Sequence, residues 1–257
     1  GSFCVSRTMP AGWEYSGRGG ARVYTHCLVV PAEILSRFAN NPLALARAAA
    51  ATGALDVQAR VPPVLRAMDV AATAPAVHQG SLAQLVEQVG AWQLAMLVQS
   101  VLTTSGTVAA TGWASAEQLI AGLFDCLPLE CRTAISFSTG LKYSSRRPFR
   151  VLPLPSDPAT RRRLAHRPNV TILDLTSQKP CSHLLVHNWA RFIEQALSTA
   201  QVSLLADELS QPRADLTLGN LPAFGLRLLT NLVHPTEGRA EASCCAEGGW
   251  AAGSSEA

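Results

Sequence analysis

The chain has 257 residues, of which 48% are hydrophobic and 15% are charged, and its formal charge is +3. This balance predicts one or two ordered domains and excludes a disordered polyelectrolyte, and so small a net charge does not predict nucleic-acid binding by the whole chain. The seven cysteines form no CxxC pair, which argues against a zinc ribbon and favours reduced thiols in a cytoplasmic protein. No apolar run approaches the ~20 residues that a membrane helix needs.

Two strand-like runs open the chain, at residues 3–8 and 22–30, and a glycine-rich turn region separates them. In the second run, RVYTHCLVV, both alternating sets of residues are largely apolar. This pattern is typical of a strand that is covered on both faces.

Two helices are predicted next. Pro31 suits the first turn of the helix PAEILSRFA, and Asn41 followed by Pro42 is a start signal for LALARAAAA, which Gly53 closes. The proline-broken residues 56–70 predict a short strand and a loop.

A long helical region begins at Ser81, and Gly90 predicts a kink or a break within it. The segment TVAATG then predicts a short strand. Ser115 with Gln118 three residues later has the spacing of a capping box, so a helix should start there and end before Pro128.

Strands and helices continue to alternate after Pro128. TAISFSTG and PFRVLPLP read as strands, Asp157 caps the helix PATRRRLAHR, VTILDL is a further strand, and HLLVHNWARFIEQAL is a helix. Two weaker helices, SLLADEL and AFGLRLLTNLV, follow. The tail from His234 is rich in small and acidic residues and is expected to be disordered.

This order predicts a helix-rich α/β fold, in which the strand remnant of an N-terminal domain is followed by a layered α/β middle domain. The expected boundaries are 1–78 for the end of an N-terminal α/β domain, 79–200 for the middle domain, 201–233 for the weak helices and 234–257 for the tail.

Positive charge is concentrated between Lys142 and Arg167, where eight basic residues accompany a single acid, Asp157. Arginine forks bind carboxylates and phosphates through paired hydrogen bonds, so this segment predicts a surface for an acidic partner. Its few aromatic residues argue against nucleic acid. The candidate partner-binding residues are Lys142, Arg146, Arg147, Arg150, Arg163 and Arg167; a solvated helix face with internal ion pairs is the alternative.

Other chemistry has weaker support. Gly112 lies between a strand and a helix, but the P-loop pattern is absent, so a nucleotide site would be a degenerate one.

His183 and His187 share a helix face without a third ligand, and no cofactor or metal is predicted. An enzymatic alternative, a hydrolase or transferase, places His26 or Cys27 in an N-terminal site, although neighbouring strand residues point to opposite faces.

Several long blocks resemble one known family: SFCVSRTMPAGWEYSGRGGARVYTHCLVVP, RFANNPLALARAA, EQLIAGLFDCLPLECRTAISFSTGLKYSSRRPFRVLPLPSDPATRRRLA and VTILDL. The family is that of bacterial GTPase-associated proteins, common in planctomycete-like genomes. The blocks resemble the end of its N-terminal domain, at about 1–75, and its middle domain, at about 81–200. The family pattern has strands before Phe3 and a long region after Gln201, so a fragment of a longer gene product is expected.

The resemblance implies a partner or regulator of a GTPase in a signalling or defence system, and it carries over no catalytic residue. Together with the concentration of charge, it leads us to expect a non-enzymatic interaction or adaptor module. The expected partner is a GTPase or another acidic protein surface, with neither nucleic acid nor membrane involved.

Overall fold

The computed structural model describes residues 1–13, 20–58, 63–64, 67–155, 157–176 and 185–233. Within these ranges the fold is a mixed α/β one, as predicted. The strands are β1 (Ser2–Trp13), β2 (Ala21–Pro31), β3 (Thr107–Thr111), β4 (Val151–Pro153) and β5 (Val170–Asp174). The helices are α1 (Ala32–Ser36), α2 (Pro42–Ala51), α3 (Gln79–Val89), α4 (Ala91–Thr103), α5 (Ala116–Asp125), α6 (Leu129–Arg132), α7 (Pro158–Ala165), α8 (Asn188–Ser198), α9 (Val202–Ser210) and α10 (Leu221–Val233).

The first two strands form a long antiparallel hairpin, in register from Ser2 opposite Pro31 to Pro10 opposite Val23. Its inner face, which carries Phe3, packs with the first two helices around Leu35 and Phe38. The prediction that β2 is covered on both faces is wrong for the described part of the chain. On the outer face, Val23 and Val29 are 66% and 76% exposed.

Local signals position the helices as predicted. Asn41 accepts from the backbone N–H groups of Leu43 and Ala44, so it caps α2. Gly90 has a φ of +99°, which glycine adopts without strain, and it separates α3 from α4. Ser115 accepts from the N–H of Gln118 at the start of α5, which confirms the predicted cap.

A three-stranded parallel sheet, ordered β4-β3-β5, forms the centre of the remaining chain. Val108, Ala110 and Val151 face the main core, which contains residues of α3, α4, α5, α8, α9 and α10. The other face packs against α7 through Ala109, Leu152 and Leu164. Helices therefore cover both faces of this small sheet, as parallel pairing requires.

The predicted helices after residue 201 belong to this main core. Leu205 and Leu221 are fully buried, and Trp189 of α8 stacks on Phe224 of α10 with ring centroids 5.6 Å apart. The indole N–H of Trp189 donates to the carbonyl of Cys126 at 2.9 Å. The expected disordered tail, 234–257, lies outside the described residues.

Two elements differ from prediction. TAISFSTG forms only a single parallel bridge, from Phe137 to Val151, rather than a full strand. The last long helix predicted, HLLVHNWARFIEQAL, begins only at Asn188, after Gln99 of α4 accepts from the N–H groups of Val186 and His187. These side-chain bonds satisfy N–H groups ahead of the helix. The first residues of the predicted segment, at 183–184, lie outside the described ranges.

Candidate functional site

The predicted basic loop connects the Phe137 bridge to β4. Lys142, Arg146 and Arg147 are exposed on it. The N–H of Arg147 donates to the carbonyl of Ser144 at 3.1 Å, which folds the loop into a tight turn. Tyr143 packs against the hydrophobic cluster on the α7 face of the sheet, and this contact anchors the loop there.

The same cluster anchors the second group of basic residues. Leu164 of α7 is 2% exposed and belongs to it, while Arg163 and Arg167 on either side of Leu164 are exposed. Asp157 caps the helix by accepting from the N–H groups of Ala159 and Thr160. The structure therefore brings the loop and α7 to one face of the sheet.

Few carboxylates oppose this charge. Among the described residues, no carboxylate oxygen lies within 4.0 Å of Lys142, Arg146, Arg147, Arg163 or Arg167; Arg161 alone in this segment forms an ion pair, with Asp174 at 2.5 Å. Exposed cationic groups without an ion pair raise the positive potential of the surface around them. Asp157, whose lowered pKa owes part of its shift to the charge of Arg163, is the acid that offsets some of this potential on α7. We call the surface formed by these five residues the basic face.

Arg150, the remaining candidate, has a different environment. Its side chain is half-buried, and its Nε donates to the carbonyl of Val101 at 2.9 Å. That carbonyl lies in the last turn of α4, where no backbone donor is left for it. Burial lowers the pKa of Arg150. The geometry gives this residue a capping role in the fold.

A buried arginine outside the predicted basic residues joins the main core to the hairpin with its helices α1 and α2, which we call the hairpin unit. Arg132 has no exposed surface and donates to three carbonyl oxygens, those of Leu127, Ala39 and Ala76, at 2.9, 2.9 and 2.6 Å. Burial lowers its pKa to about 10, and the carboxylate of Asp125 acts in the opposite direction. Its position among apolar residues in LECRTAI was the only sequence signal, since the carbonyl partners lie up to 93 residues away.

An ion pair lies next to this arginine. Nδ1 of His78 is 3.6 Å from Oδ1 of Asp125, a carboxylate whose side chain is 2% exposed. The separation is too long for a good hydrogen bond, so the pairing is mainly electrostatic. The contact with Asp125 raises the pKa of His78, while burial and the charges of Arg47 and Arg132 oppose the rise.

This pair predicts a pH dependence of stability. A histidine whose pKa is raised on folding stabilises the fold fully below its unfolded pKa, about 6.5, and loses that contribution as the pH rises through the folded pKa. We expect His78→Gln to lower the urea midpoint at pH 6, and the difference from wild type to shrink by pH 8.5. A difference that stays constant or grows with pH contradicts this assignment.

The strand-to-helix turn at Gly112 is filled by the chain itself. Gly112 has a φ of +81°, and a Cβ placed there would lie 2.6 Å from Cγ2 of Thr176. Asp174 accepts from the N–H and hydroxyl of the same threonine, which holds it against the glycine. Thr176 therefore occupies the space beside Gly112 in which a phosphate loop would hold its ligand.

The structure describes His26 and Cys27, the nucleophile candidates, and His187, one of the two metal candidates. Cys27 is exposed on the outer face of the hairpin, opposite Ser6, whereas His26 is on the inner face and its Nε2 lies 3.1 Å from the carbonyl of Asp56. His187 is half-buried and burial lowers its pKa; its proposed companion, His183, lies outside the described residues. The described ranges contain no group of three potential metal-binding side chains.

Comparison with known proteins identifies the N-terminal part of the chain. Residues 1–67 match the family model for GTPase-associated protein 1, N-terminal domain type 2. No curated protein and no solved structure matches the chain. None of the described helices is both long and apolar enough to span a bilayer. The resemblance of residues 81–200 to the middle domain stays a prediction, and residues 1–67 are similar to the N-terminal domain of a GTPase-associated protein family.

Proposed function

We propose that the chain is a non-enzymatic interaction module that binds a GTPase, or a similarly acidic protein surface, through the basic face. We place this activity in the cytoplasm of a bacterium, as an adaptor in a signalling or defence system. The observation that carries the proposal is that two segments anchored in one hydrophobic cluster carry Lys142, Arg146, Arg147, Arg163 and Arg167, all exposed and without a carboxylate oxygen within 4.0 Å among the described residues.

The anchoring of the loop and of α7 further supports an electrostatic docking role. The loop and α7 are both fixed to the sheet, by Tyr143 and Leu164, so that their charged groups extend from a rigid support. Because the backbone of the loop and of α7 is already held in place, binding loses less conformational entropy. Long-range attraction between opposite surfaces mainly accelerates encounter and selects against partners of the wrong charge.

Charge reversal on the loop tests the proposal. We expect Arg146→Glu combined with Arg147→Glu to weaken binding of the partner GTPase by at least about tenfold at low salt, because the change converts attraction into repulsion. Titration calorimetry at about 50 and 500 mM NaCl measures the effect, and the wild type should lose more affinity with salt than the variant does.

A matched control keeps the charge change and moves it elsewhere. Arg37 and Arg191 are exposed and lie outside the basic face. The Arg37→Glu, Arg191→Glu variant has the same net charge as the loop variant, so only a local effect separates the two. Equal affinities of the two variants for the GTPase, or no binding by the wild type, would remove the basic face from the account.

A further inference from the structure

A groove of about 490 Å³ lies between the hairpin and the chain segment 132–141. Its volume falls in the range of sites that bind ligands. Leu35, Pro42 and Leu43 contribute apolar surface from the N-terminal helices, and none of the described residues that line the groove is an aspartate or glutamate. The groove lies outside the basic face but adjoins it, since Leu141 and Phe149, the residues that flank the basic loop, both line the groove.

One wall of the groove is the edge of β1 that pairs with no strand in the described part of the chain. The consecutive residues Phe3, Cys4, Val5 and Ser6 all line it. Successive side chains of a strand point to opposite faces, so a cavity that touches four in a row lies along the edge of the strand. The other edge pairs with β2 in a sheet of two strands. Every second residue of β1 therefore directs its N–H and C=O groups towards the groove.

The opposite wall has the same character. Residues 132–141 line the groove without interruption. The N–H of Ser138 donates to the carbonyl of Val151 at 3.2 Å, and the N–H of Val151 donates to the carbonyl of Ser136 at 3.0 Å. In a parallel bridge of this kind, the N–H and C=O of the central residue, Phe137, point away from β4 and hence towards the groove.

We propose that the groove binds an extended, acid-flanked segment of the partner protein, which adds as a strand between β1 and residues 136–138. Main-chain hydrogen bonds to both edges provide the affinity, as in other cases of strand addition. The apolar floor accommodates alternate side chains of the segment. Its acidic end lies beside Lys142, Arg146 and Arg147, which belong to the loop that begins and ends at the rim of the groove. The inference rests on the proposed function and specifies which part of the acidic partner docks.

Labelled synthetic peptides test the groove without the GTPase. Two ten-residue peptides carry an alternating valine–threonine core with three glutamates at either the carboxyl or the amino end. Two controls replace the glutamates with lysines or alternate core residues with prolines, which remove N–H donors. We expect at least one acidic peptide to bind, by fluorescence anisotropy, at least about tenfold more tightly than both of its controls.

The chain contains its own probe for the location of binding. Cys4 and Cys27 are both exposed, but only Cys4 lines the groove. The bound acidic peptide should slow alkylation of Cys4 by N-ethylmaleimide at least about fivefold and leave Cys27 unchanged, as measured by peptide-resolved mass spectrometry. In addition, Ala134→Trp should block the groove, while Ala159→Trp, at an exposed position on α7, should not.

Each outcome decides between explanations. No saturable binding of either acidic peptide up to about 1 mM overturns the groove proposal. Equal binding of the proline control also overturns it, because an apolar small-molecule pocket then explains the site better than strand addition. If the peptides bind and the GTPase does not, the groove stands and the proposed GTPase partner falls. If the GTPase binds through the basic face and leaves Cys4 reactive, the groove proposal alone falls.

Discussion

Replacing Arg132 with methionine is expected to lower the free energy of unfolding by about 3–5 kcal/mol. The substitution leaves the carbonyls of Leu127, Ala39 and Ala76 without their buried donor, and it removes the positive charge that acts on the buried carboxylate of Asp125. Because one carbonyl belongs to the hairpin unit and one to the connection before α3, the loss also weakens the attachment between the hairpin unit and the main core.

Equilibrium denaturation in urea measures this effect. Arg162→Met is the matched control, since Arg162 is exposed on α7 and its removal should change stability by no more than about 0.5 kcal/mol. A similarly small effect for both variants would show that the carbonyls around Arg132 find other donors. The amide side chain of Asn40, which donates to the carbonyl of Leu129 at 2.9 Å, forms a second contact between the same two parts of the chain.

The second large effect concerns Gly225 in α10. A Cβ at this position would lie 2.4 Å from the backbone nitrogen of Trp189 and 2.6 Å from its Cα. Both atoms are backbone, so α10 must move away from α8 to admit the methyl group. Overpacking of this kind costs about 1–3 kcal/mol or more, whereas alanine in a helix interior otherwise stabilises by about 1 kcal/mol over glycine.

Overpacking destabilises the Gly225→Ala variant, whereas the helix propensity of alanine stabilises it. The sign of the measured change in stability therefore shows whether α10 packs as closely on α8 as the structure indicates. We expect the substitution to destabilise the fold by about 2 kcal/mol, with loss of the near-ultraviolet circular dichroism signal from the stacked Trp189 and Phe224 rings. In the control, Gly219→Ala, the nearest atom to the new Cβ is 3.8 Å away, so little change is expected. A stabilised Gly225→Ala variant would mean that α10 is packed less closely on α8 than the structure indicates.

The elements that were predicted correctly depend on local signals. Gly90 separates two helices, and Ser115 and Asp157 cap α5 and α7, because each acts through backbone groups within a few residues. The segments TVAATG and VTILDL, predicted as short strands, form β3 and β5. These signals depend on neighbours in the sequence and therefore do not require knowledge of the tertiary fold.

The errors depend on distant contacts. The apolar outer face of β2 predicted a covering layer, but in the described structure that face remains open around Val29. TAISFSTG has a strand-like composition, yet only Phe137 finds a partner, since β4 is just three residues long. The partners of Arg132 and the groove itself arise from segments that are far apart in sequence.

Some features of the proposed basic face can be read from the sequence and others cannot. The concentration of basic residues and the sequence positions of the loop and α7 were visible in the sequence, but the shared anchoring of Tyr143 and Leu164 in one cluster was not. The capping role of Arg150 could not be predicted either, because it depends on the end of α4, 49 residues earlier. Residue type thus identified the charges, and tertiary packing determined which of them remain exposed.

Amide hydrogen exchange of the wild-type chain, with and without a saturating amount of the GTPase, tests the central claim most directly. If the basic face is the docking surface, the loop 142–148 and the segment of α7 that carries Arg163 should exchange more slowly in the complex. Protection confined to other parts of the chain, or an unchanged exchange rate throughout, would contradict the account.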